Sequence, residues 1–409
     1  MSSPWGQQDT NEASKLEPRC IASTESSVNG PVEDDASSQN TNSKYQNNFF
    51  REAQISADGT IIVTHNDDRR LRTYSLPYDL LDDSKQPHTL SPYSVLPSPT
   101  NVQSYALYPG FDLYNPWTTL ILSAPIDQPI RLTSALSSTY THATYSYVNS
   151  KTEAFIAPNS LEFTPNGRHF IAGSRGAVAL FDTEDTTAGP VQTHVTNPRS
   201  PTAAAASMRD SGIIMSLSVS PENHLAAGSS NRTVGIFSNC GLGQYETSFS
   251  VAPQPEEHDA AMCGGTGITS LAWTFDNTYL LAAERQSDGI HVFDVRNQRR
   301  RLAWLSGRNA LTTQRLGIST VLPSTGFEVW AGGVDGAVRM WKDPGLIEGI
   351  QKPDAEFHDM HSDSVSSVVW HSSGSIMASC SGQRRFGNDE EDEDDEVGDP
   401  DNTLRVWGV

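Results

Sequence analysis

From Ser211 the chain reads SGIIMSLSVSPENHLAAGSSNRTVGIFS, and its apolar positions fall into three short runs. Ile214, Leu217 and Val219 belong to an alternating run, a Ser-Pro-Glu-Asn turn follows, Leu225 to Ser229 form a small-residue run, and Val234, Ile236 and Phe237 close the unit after a polar loop. The pattern predicts strand, turn, strand, loop, strand. A three-strand unit of this size cannot bury both faces alone, so it needs further copies stacked against it.

Those copies are present. REAQISADGTIIVTHNDDRRLRTYSL is the first, with a turn at Asp58-Gly59, and a Pro-rich link follows at Pro77 to Pro99, where missing N–H groups exclude a central strand. The second and weakest copy has strands at Ser104 to Tyr108, Thr118 to Ser123 and Pro129 to Thr133, with an outer strand near Ala143 to Val148. SLEFTPNGRHFIAGSRGAVALFD is the third, the opening stretch the fourth, ITSLAWTFDNTYLLAAERQSDGIHVFD the fifth and LGISTVLPSTGFEVWAGGVDGAVRMWK the sixth. The seventh starts SVSSVVWHSSGSIMASCSGQRRFG and resumes as NTLRVWGV. First-to-second-strand turns near positions 58, 166, 222, 276, 325 and 373 are 108, 56, 54, 49 and 48 residues apart, so the first gap holds two units.

Seven units with turn signals throughout and no helix-period segment predict an all-β chain, a seven-bladed β-propeller over residues 44–409. Residues 1–43, poor in apolar periodicity, are expected to form a disordered acidic tail. Segment 186–211 has the composition of a low-complexity insertion, and 387–401 is an acidic insertion between two strands of the last unit. Because the chain ends on a third strand, closure needs an outer strand from elsewhere, and Lys44 to Phe50 is the candidate. The units resemble the WD-repeat family, although the Trp-Asp positions read Phe181-Asp182, Phe293-Asp294, Trp341-Lys342 and Trp407-Gly408. That departure puts the polar network that stiffens regular blades in question.

Charge changes the picture only locally. The net charge of −21 would argue against a polyanionic partner, but Asp389 to Asp401 hold ten acids and Met1 to Ser43 seven acids against two bases, leaving about −6 elsewhere. Cys20, Cys240, Cys263 and Cys380 form no C-x-x-C pair, as expected of a reducing compartment. No signal region or long apolar run appears, so a nuclear or cytosolic protein without a membrane partner is expected. No catalytic motif or phosphate loop is present, and the His358, His361, His371 cluster reads as a blade-corner feature rather than a metal site. The chain is therefore expected to be no enzyme, with no cofactor and no small-molecule substrate, and to be a monomer.

The loops carry the candidate chemistry. Those between second and third strands contain Arg69 and Arg70, Arg175, Arg232, Arg285, and Arg384 with Arg385. The link SGRNALTTQRLG, which opens on the same face, adds Arg308 and Arg315. Guanidinium forks pair with phosphate, and their arrival without interleaved aromatics favours backbone binding over base stacking. The Arg299 to Arg301 triplet falls on the opposite face, where nuclear targeting or an ordinary surface role suits it as well as RNA contact.

Over roughly Phe49 to Val409 the chain resembles the telomerase Cajal body protein family. The resemblance is carried by FREAQISADGTIIVTHNDDRRLRTYSLP, QPIRL, YSYVNSKTEAF leading to SLEFTPNG, TTQR at Thr312 to Arg315, and ASCSGQRRF at Ala378 to Phe386 before the acidic insertion. It implies a nuclear scaffold that binds small nuclear RNA, telomerase RNA among them, and the RNP proteins around it; similar yeast proteins are linked instead to spliceosomal particles and mRNA splicing. It also implies Gln314, Arg315, Gln383, Arg384 and Arg385 as RNA contacts, a Gln amide reading a base edge while the adjacent Arg holds phosphate. The alternative is a protein-only adaptor whose rim docks an acidic peptide.

Overall fold

The computed structural model describes residues 17–25, 48–82, 84, 87–200, 207–253, 262–297, 300–323, 326–383 and 401–409. Among them are seven antiparallel sheets of four or five strands, one per predicted unit. Blade four has strands Ile214–Val219, Leu225–Ser229, Thr233–Phe237 and Tyr245–Ser250, as the pattern predicts. The first strand of each blade packs against the first strand of the next, and that of blade seven, Val365–Trp370, packs against Phe50–Ile55 of blade one, so the ring is closed.

Small residues make this ring possible. Second strands such as Leu225–Ser229 and Tyr279–Glu284 are buried almost throughout and rich in Ala, which lets adjacent sheets approach while larger side chains fill the outer wedge between them. The core is accordingly a series of inter-blade clusters, for example Leu281, Val292, Val329 and Trp341 between blades five and six. Tight turns lock neighbours together as well: Gly59 has φ of +72°, and a Cβ there would collide with the ring of His371 from blade seven.

Closure differs from the expectation. The outer strand of blade seven is Arg19–Thr24, antiparallel to Leu404–Gly408, with Ile21 and Ala22 fully buried. Of the candidate 44–50, positions 44–47 lie outside the described residues, and Phe50 opens the first strand of blade one. The six-residue strand escaped notice because its polar flanks hide a two-residue apolar centre. His88–Leu90, from the Pro-rich link, adds a parallel fifth strand outside it. In blade three the stretch expected to be an insertion supplies the outer strand, Gln192–Val195, and buries Met208 against blade four; positions 201–206 lie outside the described residues.

Blade seven retains a complete polar network. Trp407 Nε1 donates to Ser379 Oγ at 2.8 Å, His361 Nε2 lies 2.7 Å from the same oxygen, and His361 Nδ1 is 3.4 Å from Asp401 Oδ2. Burial pushes the Asp401 carboxyl up, but hydrogen bonds from His361, Thr403 and the Ser362 N–H outweigh it and hold it well below the usual carboxylate range. His361 is thus a structural residue. Asp401 is an anchor rather than the last acid of a solvated run, whose positions 387–400 lie outside the described residues.

Candidate nucleic-acid interface

Each blade runs antiparallel, so second-to-third-strand loops and the links between blades share one end of the propeller, and the remaining loops share the other. At the first end a funnel of about 410 Å³ opens on the axis. Its wall takes Glu52 and His65 from blade one, Gln103 from two, Asn159 from the approach to three, Met215 from four, Arg285 from five and Gln383 from seven. Thr312 to Arg315 complete it from the link between blades five and six.

Gln314 Nε2 donates to the Gly382 carbonyl at 2.9 Å, so the TTQR and SGQRR loops, 68 residues apart, are held against each other. The Thr312 carbonyl accepts from the Gln286 N–H at 2.9 Å, fixing the same link to the loop that carries Arg285. Arg285 and Arg315 are half-buried, and among the described residues neither has an ion-pair partner. Burial, and then the charge of Arg315, lower the Arg285 pKa, and the Arg285 Nε has no hydrogen-bond partner among the described residues. Burial, then the charges of Arg51 and Arg315, bring His65 down to about 3, which leaves it neutral. The funnel is a desolvated positive field flanked by amides, an arrangement suited to an anion with a polar planar group attached.

The other predicted arginines separate into two kinds. Arg69 and Arg175 are exposed on loops at this end, and half-exposed Arg70 lies 4.0 Å from Asp68. Arg232 instead makes a bidentate pair with Glu284 of blade five, at 2.7 and 2.8 Å. Glu284 is fully buried, and His291 approaches its other side at 2.9 Å. Arg308 is buried and donates to the Gly332 and Gly317 carbonyls at 3.2 and 2.8 Å, with burial bringing its pKa down to about 10. These two arginines join blades, which corrects their reading as RNA contacts. Arg384 and Arg385 lie outside the described residues. On the opposite face, Arg301 is buried beside Trp304 rather than displayed.

Arg51, Glu52, His65, Gln103 and Asn159 line the funnel without having been singled out in the sequence. A signal was available. Arg51, Gln103, Asn159 and Met215 stand at or next to the start of the first strand in four successive units, a recurring axial position that unit-by-unit alignment exposes.

No family model matches the chain. It is 29% identical over 304 residues to guanine nucleotide-binding protein negative regulator 1 of Schizosaccharomyces pombe, covering 74% of this chain and 72% of that protein. It is 26% identical over 361 residues to telomerase Cajal body protein 1 of Homo sapiens, covering 86% of this chain and 61% of that protein. The chain belongs to a family of WD-repeat proteins like telomerase Cajal body protein 1. Protein SWT21 of Zygosaccharomyces rouxii is a further relative, 24% identical over 336 residues, covering 76% of this chain and 73% of that protein. The chain spans about three fifths of the length of its mammalian relatives in the family. The funnel lies within the propeller common to this match.

Proposed function

We propose that this chain is a nuclear, non-catalytic WD-repeat scaffold that binds small nuclear RNA at the funnel end of the propeller and brings RNP proteins to it, acting as a monomer. The observation that carries the proposal is the convergence of Arg285, Arg315, Gln314 and Gln383 on one cavity, reached from three separate parts of the chain. A phosphate fits between the two guanidinium groups, and the amides and neutral His65 offer donors and acceptors to a base edge. The cavity volume suits one unstacked nucleotide and excludes a duplex, so single-stranded segments are the substrate class. The name of the mammalian relatives supports the Cajal-body setting.

The test is fluorescence anisotropy with small nuclear RNA co-purified from the source cell. Arg285→Gln with Arg315→Gln should weaken binding at least tenfold and flatten the plot of log K against log salt by about 1.4, roughly 0.7 for each lost phosphate contact. Unchanged affinity and slope would remove RNA from the funnel. A protein-only adaptor is the second reading, favoured by the name of the fission-yeast relative, which concerns regulation of a guanine nucleotide-binding protein. Absence of any co-purifying RNA, with a stoichiometric protein partner instead, would select it.

A further inference from the structure

The opposite end of the propeller carries a different surface. Blade two has a ten-residue excursion between its strands Val102–Leu107 and Leu120–Pro125 that shows Tyr114 at 94% exposure and Trp117 at 72%. Tyr140, 52% exposed, precedes the outer strand Thr141–Tyr145 at the same end. Both Trp117 and Tyr140 make edge contacts with the ring of His142, with centroids 6.2 and 4.5 Å apart. Burial lowers the His142 pKa, so its ring is neutral.

The excursion is held rigid. Asp112 Oδ1 accepts from the Tyr114 N–H at 2.9 Å, the Asp112 N–H donates to Thr118 Oγ1 at 3.1 Å, and Asp58 of blade one accepts from the Leu113 N–H at 2.7 Å. A loop fixed by its own hydrogen bonds has no need to expose aromatic rings, and displaying them pre-organised lowers the entropic cost of binding. The surrounding charge is one-sided: Asp58, Asp79, Asp82 and Asp112 stand on the blade-one and blade-two loops at this end, and none of their described residues is Lys or Arg. The nearest basic side chain of blade three's first turn, Arg168, is 4.0 Å from Asp182.

We propose that the aromatic and acidic surface formed by Tyr114, Trp117, Tyr140 and Asp112 docks an arginine-rich peptide segment of a protein partner. A guanidinium plane stacks on Trp and Tyr faces and forks onto carboxylates, so Arg fits this combination better than Lys does. RNA does not fit it. Bases could stack on the rings, but the phosphates would meet four carboxylates and no cation. The site is separate from the funnel and stands whether or not the funnel binds RNA.

The probe is a fluorescein-labelled peptide of alternating Gly and Arg, with Gly-Lys and Gly-Glu peptides of equal length as controls. Saturable binding of the Arg peptide is expected, weaker for Lys and lost for Glu. Trp117→Ala with Tyr140→Ala should reduce affinity for the Arg peptide at least tenfold, while melting temperature and RNA affinity stay unchanged because both side chains are exposed. Arg285→Gln with Arg315→Gln should leave peptide binding intact. No saturable binding, equal binding by the double Ala variant, or equal binding of the Gly-Glu peptide would each overturn the proposal. So would displacement of the peptide by oligouridylate, which would make the surface a base-stacking platform.

Discussion

Glu162, on the first strand of blade three, is pushed up to about 8 by burial and then by the charge of Glu52 in the funnel wall. His65 on the same axis is held at about 3. Their effects on stability have opposite signs. Glu162 binds a proton in the folded chain that the unfolded chain has released above about pH 4.5, so its ionisation costs stability increasingly as pH rises towards 8. Unfolded His65 takes a proton below about pH 6.5 that the folded ring refuses, so stability is lost as pH falls from there towards 3. The two slopes cancel between about pH 4.5 and 6.5, and above that Glu162 alone contributes. Melting temperature should therefore decline for wild type between pH 6.5 and 8, at a rate equivalent to at most about 1.4 kcal/mol per pH unit. Glu162→Gln should abolish this part of the decline, and Glu52→Gln should move it to lower pH by removing one cause of the shift. An identical decline in wild type and Glu162→Gln would refute the assignment. At this scale the sequence was only half legible. Arg232 and Arg285 occupy equivalent loop positions, and nothing local distinguishes them; what separates their roles is Glu284, which reaches Arg232 from the neighbouring blade and leaves Arg285 to the funnel.

Blades differ in how their polar groups are joined, and blade seven shows the consequence most directly. Its network of Trp407, Ser379, His361 and Asp401 ties the third strand to the second and to the corner before the first. Removing the carboxylate strands a buried imidazole and the Ser362 N–H, at a cost of about 2 to 4 kcal/mol. Asp401→Ala should thus lower the melting temperature by several degrees, whereas replacing 389–399 by a Gly/Ser linker of equal length should leave it nearly unchanged. Equal losses for the two variants would show that the network contributes no more than the insertion. From sequence, all ten acids read as one run, because charge composition does not reveal which carboxylate meets a histidine. The period-two runs were more informative: they located the strands of blade two, the most divergent copy, to within a few residues, since burial of alternate side chains dictates both the pattern and the strand.

The seven-unit ring was legible in the whole molecule because one repeated unit states its own requirement for neighbours. The closing strand was not, since Arg19–Thr24 contributes only two fully buried side chains and is separated from blade one by 25 residues of polar chain. Deleting residues 1–25 should uncover the edge of Leu404–Gly408 and the cavity left by Ile21, a loss of at least about 2 kcal/mol from that side chain alone. An unpaired strand edge also invites pairing between molecules. Light scattering after size exclusion should show self-association for this deletion and none for deletion of residues 1–16; a monodisperse, equally stable 1–25 deletion would contradict the closure. The pairing also sets a clock during synthesis. Thr24 Oγ1 accepts a hydrogen bond from the Leu404 N–H at 3.0 Å, across 380 residues of chain. At about 5 to 20 residues per second, the nascent strand leaves the ribosome roughly 20 to 80 s before its partner is made. For that interval six blades can stack while the earliest segment has nothing to pair with, so the nascent chain carries its own fastener, unfastened, until the last turn of translation.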